Sequence, residues 1–98
     1  MWILRTNTEG VDELVFRLLP GEPKTIGRAT GADFIVDAAL ISRVHCRLTV
    51  LPGGELEVKD LDSTNGTFVN GARVETARVA PGDTLKVGRV ELLVMKEE

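Results

Sequence analysis

The chain has one cysteine and one histidine among its 98 residues, which excludes an internal disulfide and a Cys/His zinc cluster. A lone Cys46 points to a reducing, cytoplasmic setting. Aromatic side chains make up only 4%, namely Trp2, Phe16, Phe34 and Phe68, too few for the stacking platforms that hold single-stranded nucleic acid. Twelve Lys and Arg stand against fifteen Asp and Glu, a net charge of −3, so no broad cationic field draws a nucleic-acid backbone. Apolar runs are short, and the opening Met1-Trp2-Ile3-Leu4-Arg5 has neither a charged leader nor an extended apolar segment. Neither a membrane span nor a secretory signal is expected. The phosphate loop of nucleotide enzymes is missing as well, since Gly27-Arg28-Ala29-Thr30-Gly31 lacks its lysine.

What is present is a strand pattern. Leu56 and Val58 alternate with Glu55, Glu57 and Lys59, Leu85 and Val87 with Thr84, Lys86 and Gly88, and Val90, Leu92 and Val94 share one face of the last segment. Shorter candidates are Trp2 to Thr6, Leu14 to Leu18, Lys24 to Gly27, Phe34 to Val36 and His45 to Leu51. Turn formers separate them: Glu9-Gly10, Pro20-Gly21, Thr30-Gly31, Pro52-Gly53-Gly54, Asn65-Gly66, Asn70-Gly71 and Pro81-Gly82-Asp83. Asn70-Gly71, between Phe68-Val69 and Ala72-Arg73-Val74, predicts a tight primed hairpin turn. Ala38-Ala39-Leu40-Ile41 is the one helical candidate and spans barely a turn. With 43% hydrophobic residues, residues 1–98 read as a single all-β domain of the kind cut from a longer protein.

Three polar signatures fall where strands end or begin: Gly27-Arg28, Ser42-Arg43-Val44-His45, and Ser63-Thr64-Asn65-Gly66-Thr67 with Asn70-Gly71 behind it. A guanidinium at Arg28 can hold an oxyanion through paired, charge-assisted hydrogen bonds. Ser42 and Thr64 add hydroxyl donors, Arg43 a second positive charge, and Asn65 an amide suited to a peptide backbone. Loops gathered at one end of a sandwich can build one site from these three stretches.

In this order the signatures resemble the forkhead-associated (FHA) domain, and the likeness extends to Ala32-Asp33-Phe34-Ile35-Val36 and Pro81-Gly82-Asp83. The resemblance implies a β-sandwich of two twisted, mainly antiparallel sheets, about eleven short strands, with the binding loops at one end. It implies a non-catalytic reader of phosphothreonine in partner proteins, acting downstream of a Ser/Thr kinase, without cofactor or metal; arginine-cluster recognition of phosphorylated motifs is the known mode of such domains. Arg28 and Ser42 would bind the phosphate, with Thr64 and Arg43 assisting, and Asn65 would bind the peptide backbone. Gly27, His45, Gly66 and Asn70 would hold the loops in shape.

Two rival classes stand beside this. Ser42 and His45 with Asp60 or Asp62 suggest a hydrolase, but the strands and tight turns offer no nucleophile elbow or evident oxyanion hole. A phosphate-independent interaction or oligomerisation domain would keep the fold and use the loops only structurally, and the intact donor cluster argues against it. Cys46 and Trp2 are expected in the core. Leu40-Ile41, just before Ser42, favours an apolar over an acidic peptide residue beside that loop.

Overall fold

The computed structural model describes residues 1–8 and 13–97; the expected Glu9-Gly10 turn lies outside them. They form β1 (Trp2–Thr6), β2 (Val15–Leu18), β3 (Lys24–Gly27), β4 (Phe34–Ile35), β5 (Cys46–Val50), β6 (Leu56–Asp60), β7 (Thr67–Val69), β8 (Ala72–Val74), β9 (Thr76–Val79), β10 (Thr84–Val87) and β11 (Val90–Lys96). One sheet runs β2-β1-β11-β10-β7-β8 and the other β4-β3-β5-β6-β9. All pairings are antiparallel except that of β3 with β4. No helix occurs among the described residues.

Period-two alternation decides what is inside. Leu4, Leu48, Leu56, Val58, Leu85, Val87, Leu92 and Val94 are fully buried between the sheets, with Ile26 and Cys46 beside them. Two contacts tie the sheets together. The rings of Phe16 on β2 and Phe34 on β4 stack at 4.6 Å, and the Trp2 indole N–H donates to the carbonyl of Gly54, 2.9 Å away, in the β5–β6 turn. Trp2 is therefore a packing residue, as its position suggested.

The differences from the sequence pattern are local. β9 carries no large apolar residue apart from Val79, so its alternation is weak, yet it pairs with β6 from Leu56↔Val79 to Lys59↔Thr76. The 38–41 stretch does not turn into a helix, because Leu40 has φ of 70°, a left-handed geometry that ends helical propagation. Asn70 and Gly71 have φ of 50° and 85°, the pair of positive values that a primed hairpin turn requires.

β10 connects the two ends of the sandwich. Thr84 lies at the end that holds the 70–71 hairpin, where its N–H donates to Asn70 Oδ1 at 2.9 Å. Gly88, just past Val87, lies under the 39–41 stretch at the other end. That second end carries the 28–33, 36–45 and 61–66 connections.

Candidate functional site

Gly27 closes β3 and is buried. A Cβ there would collide with the carbonyl of Arg43, so only glycine lets the two backbones come this close. The approach is then sealed by hydrogen bonds: Arg28 N–H donates to the Ser42 carbonyl at 3.0 Å, Ala29 N–H to the Arg43 carbonyl at 3.1 Å, and Val36 N–H to the Gly27 carbonyl at 2.8 Å. Arg28 is thereby fixed beside Ser42 and Arg43.

The side chains are oriented one by one. Arg28 Nε donates to the Ile41 carbonyl at 3.1 Å, which aims the guanidinium, and its two terminal nitrogens have no protein partner among the described residues. Ser42 Oγ accepts the Thr64 N–H at 3.1 Å, so the serine proton is left to be donated outward. Asn65 Nδ2 donates to the Leu40 carbonyl at 3.0 Å, and its side-chain oxygen accepts no bond from the described residues. Thr64 and Arg43 are exposed.

Behind them lies a buried brace. His45, with no exposed surface, accepts the Ser42 N–H on Nδ1 at 3.1 Å and contacts the Gly66 carbonyl through Nε2 at 2.8 Å. Because Nδ1 is the acceptor, the ring carries its proton on Nε2 and donates it to Gly66. Gly66 itself has φ of 90°. Its N–H donates to Ser63 Oγ at 3.0 Å, while the Ser63 hydroxyl donates to Asp60 Oδ1. Thr67 Oγ1 donates to the same oxygen at 2.7 Å, and Ser63 N–H donates to Asp60 Oδ2 at 3.2 Å. Burial opposes ionisation of Asp60, yet these hydroxyl and amide donors, with His45 nearby, hold its carboxyl below the usual range.

The result is an open cleft of about 610 Å³ whose walls include Arg28, Ser42, Arg43, Thr64 and Asn65. All five expected ligand residues thus share one surface. Gly27, His45 and Gly66 stand behind it as structural parts. Asn70 does not: its amide bonds Asp83 and Thr84 at the far end, so it braces that turn and not the loops of the cleft. Burial pushes the Cys46 thiol up to about 12, leaving it a core residue.

Two roles escaped the sequence reading. Asp60 and Ser63 form the brace, and their three-residue spacing is a local turn signal that could have shown it. Asp37 lines the cleft with no local signal to mark it, beside the exposed Leu40 that the sequence reading had set next to the peptide. Ile41, paired with Leu40 in the sequence reading, is buried in the core.

Residues 24–88 match the family model for the FHA domain. The chain belongs to the FHA domain family. Over 75 residues it is 44% identical to the ABC transporter ATP-binding/permease protein Rv1747 of Mycobacterium tuberculosis, covering 76% of this chain and 9% of that protein. It is 38% identical over 80 residues to the glycogen accumulation regulator GarA of Mycolicibacterium smegmatis, covering 81% of this chain and 50% of GarA. The chain therefore spans half, or far less, of the length of these curated relatives. Among solved structures, the FHA domain from a structural and functional analysis of phosphothreonine-dependent FHA domain interactions superposes with a TM-score of 0.87 at 30% identity, over 99% of this chain and 97% of that one. Two sheets of short, mainly antiparallel strands with the loops gathered at one end are the FHA architecture.

Proposed function

We propose that residues 1–98 form one adaptor domain that binds phosphothreonine in partner proteins, in the cytoplasm and downstream of a Ser/Thr kinase. The observation that carries this is the Arg28 guanidinium, anchored through Nε to the Ile41 carbonyl in the wall of a cleft shared with Ser42 and Thr64. A phosphate dianion takes paired hydrogen bonds from Arg28 and single ones from the Ser42 and Thr64 hydroxyls. Arg43 adds charge at the rim, and Asn65 offers its free carbonyl to a peptide N–H beside the phosphothreonine. The relative studied for phosphothreonine-dependent interactions supports the same ligand class.

Catalysis finds no support in the geometry. Both ring nitrogens of His45 are engaged with the Ser42 N–H and the Gly66 carbonyl, so the imidazole is not the base of the Ser42 hydroxyl.

The test is a calorimetric titration of one degenerate peptide library carrying phosphothreonine, phosphoserine or unmodified threonine. Charge-assisted hydrogen bonds contribute about 1.5–3 kcal/mol each, so Arg28→Ala is expected to weaken binding at least about tenfold. Binding that is indifferent to the phosphate, or that survives Arg28→Ala, would replace this function with a phosphate-independent interaction domain.

A further inference from the structure

The aspartates of the described residues divide by use. Asp33, Asp60 and Asp83 each accept a backbone N–H, from Thr25, Ser63 and Ala80 respectively, and so hold a turn. Asp37 and Asp62 hold none, and of these only Asp37 lines the cleft. Its backbone is fixed on either side: Val36 N–H donates to the Gly27 carbonyl at 2.8 Å and Ala38 N–H to the Val36 carbonyl at 3.1 Å. The carboxylate is exposed and forms no ion pair with Arg28 or Arg43, the single ion pair among the described residues being Arg78–Glu55. The cleft therefore presents two guanidinium groups and one separate carboxylate on the same wall set.

A carboxylate in this place gives nothing to a phosphate and repels it weakly. It does offer a partner to a cation carried by the same peptide. We propose that Asp37 is a specificity-determining residue that selects phosphothreonine peptides with a lysine or arginine near the phosphorylated residue. The assignment rests on the phosphothreonine reading and narrows it to a dipolar motif, with the phosphate at Arg28 and Ser42 and a basic side chain at Asp37. An extended peptide advances about 3.3 Å per residue, so three residues on either side of the phosphothreonine reach about 10 Å each way.

The probe is a set of synthetic phosphothreonine peptides in which lysine, norleucine or glutamate is placed at each of those positions. Binding is measured by fluorescence anisotropy to the intact domain, to Asp37→Asn and to Asp37→Lys. Exposed ion pairs are modest, so at one position lysine should bind about two- to fivefold more tightly than norleucine, and the gap should shrink with added salt. Asp37→Asn should abolish the gap, and Asp37→Lys should turn the preference toward glutamate. If phosphothreonine peptides bind but no position prefers lysine, or the preference survives in Asp37→Asn, the proposal is overturned and the phosphothreonine reading stands. If no phosphorylated peptide binds better than its unmodified form, both fall together.

Discussion

Two Asn-Gly pairs lie five residues apart and serve opposite ends of the sandwich. In Asn70-Gly71 the amide is consumed by the fold: Oδ1 accepts the Thr84 N–H, Nδ2 donates to Asp83 Oδ1, and both residues have positive φ. In Asn65-Gly66 only the glycine has positive φ, and the amide spends one end on the Leu40 carbonyl while the other faces the cleft. Identical dipeptides have been put to different uses by their surroundings. The same contrast separates Asp83, which caps Ala80, from Asp37, which caps nothing among the described residues. What marks the functional end is a set of polar groups half-satisfied by the protein, oriented by one bond and left open at the other.

The comparison is broken most severely at the brace behind the cleft. His45→Ala leaves the partly buried Ser42 N–H and the buried Gly66 carbonyl unpaired and opens a cavity where the imidazole had no exposure. Together these should destabilise the domain by about 2–4 kcal/mol, read as a lowered denaturation midpoint, with phosphopeptide affinity falling as well. An undiminished midpoint would mean that the loops of the cleft do not depend on the imidazole.

Exchanging alanine into the two asparagines sharpens it at a smaller scale. Asn70→Ala removes two hydrogen bonds and places alanine at φ of 50°. A loss of about 1–2 kcal/mol of stability is expected, with phosphopeptide affinity unchanged within about twofold. Asn65→Ala should do the reverse, costing about 0.5 kcal/mol of stability and about three- to tenfold in affinity. Denaturation midpoints and calorimetric titrations of the two variants decide it, and a matching pattern in both would erase the distinction between the ends.

How much of this was legible before folding follows from the range over which each signal acts. Strands built on large alternating residues, such as Leu56 with Val58 or Leu85 with Val87, declare themselves locally. β9 does not, because Ala77 is too small to mark a buried face and only its pairing with Val58 reveals it. Arg28, Ser42, Arg43, Thr64 and Asn65 could be picked out because their motifs are contiguous. The role of Asn70 was misplaced for the converse reason: its partners Asp83 and Thr84 are more than ten residues away, and nothing local says which end of the sandwich it serves. Asp37 carries no pattern at all, since its relation to the cleft arises only when the 36–41 stretch is laid against Gly27 and Gly88.

The smallest effects come with pH, and they separate ligand from fold. Asp60 and Asp83 both have carboxyls held below the usual range: Asp60 by the hydroxyls of Ser63 and Thr67 acting against burial, and Asp83 chiefly by the Ala80 N–H. A depressed folded-state pKa contributes stability that is present above the unfolded value of about 3.9 and is lost as pH falls through the folded one. Wild-type stability should therefore be unaffected by these groups from pH 7 to about 5 and decline below about 4, and Asp60→Asn should flatten part of that decline. Binding should respond earlier, because the second phosphate pKa is near about 6 and the monoanion is the weaker ligand. Titrations at pH 7.5 and 5.5 beside denaturation midpoints from pH 7 to 3 would resolve the two windows. Affinity that holds at pH 5.5 would argue against recognition of the dianion, whereas an acid limb unchanged in Asp60→Asn would remove the carboxylate from the brace.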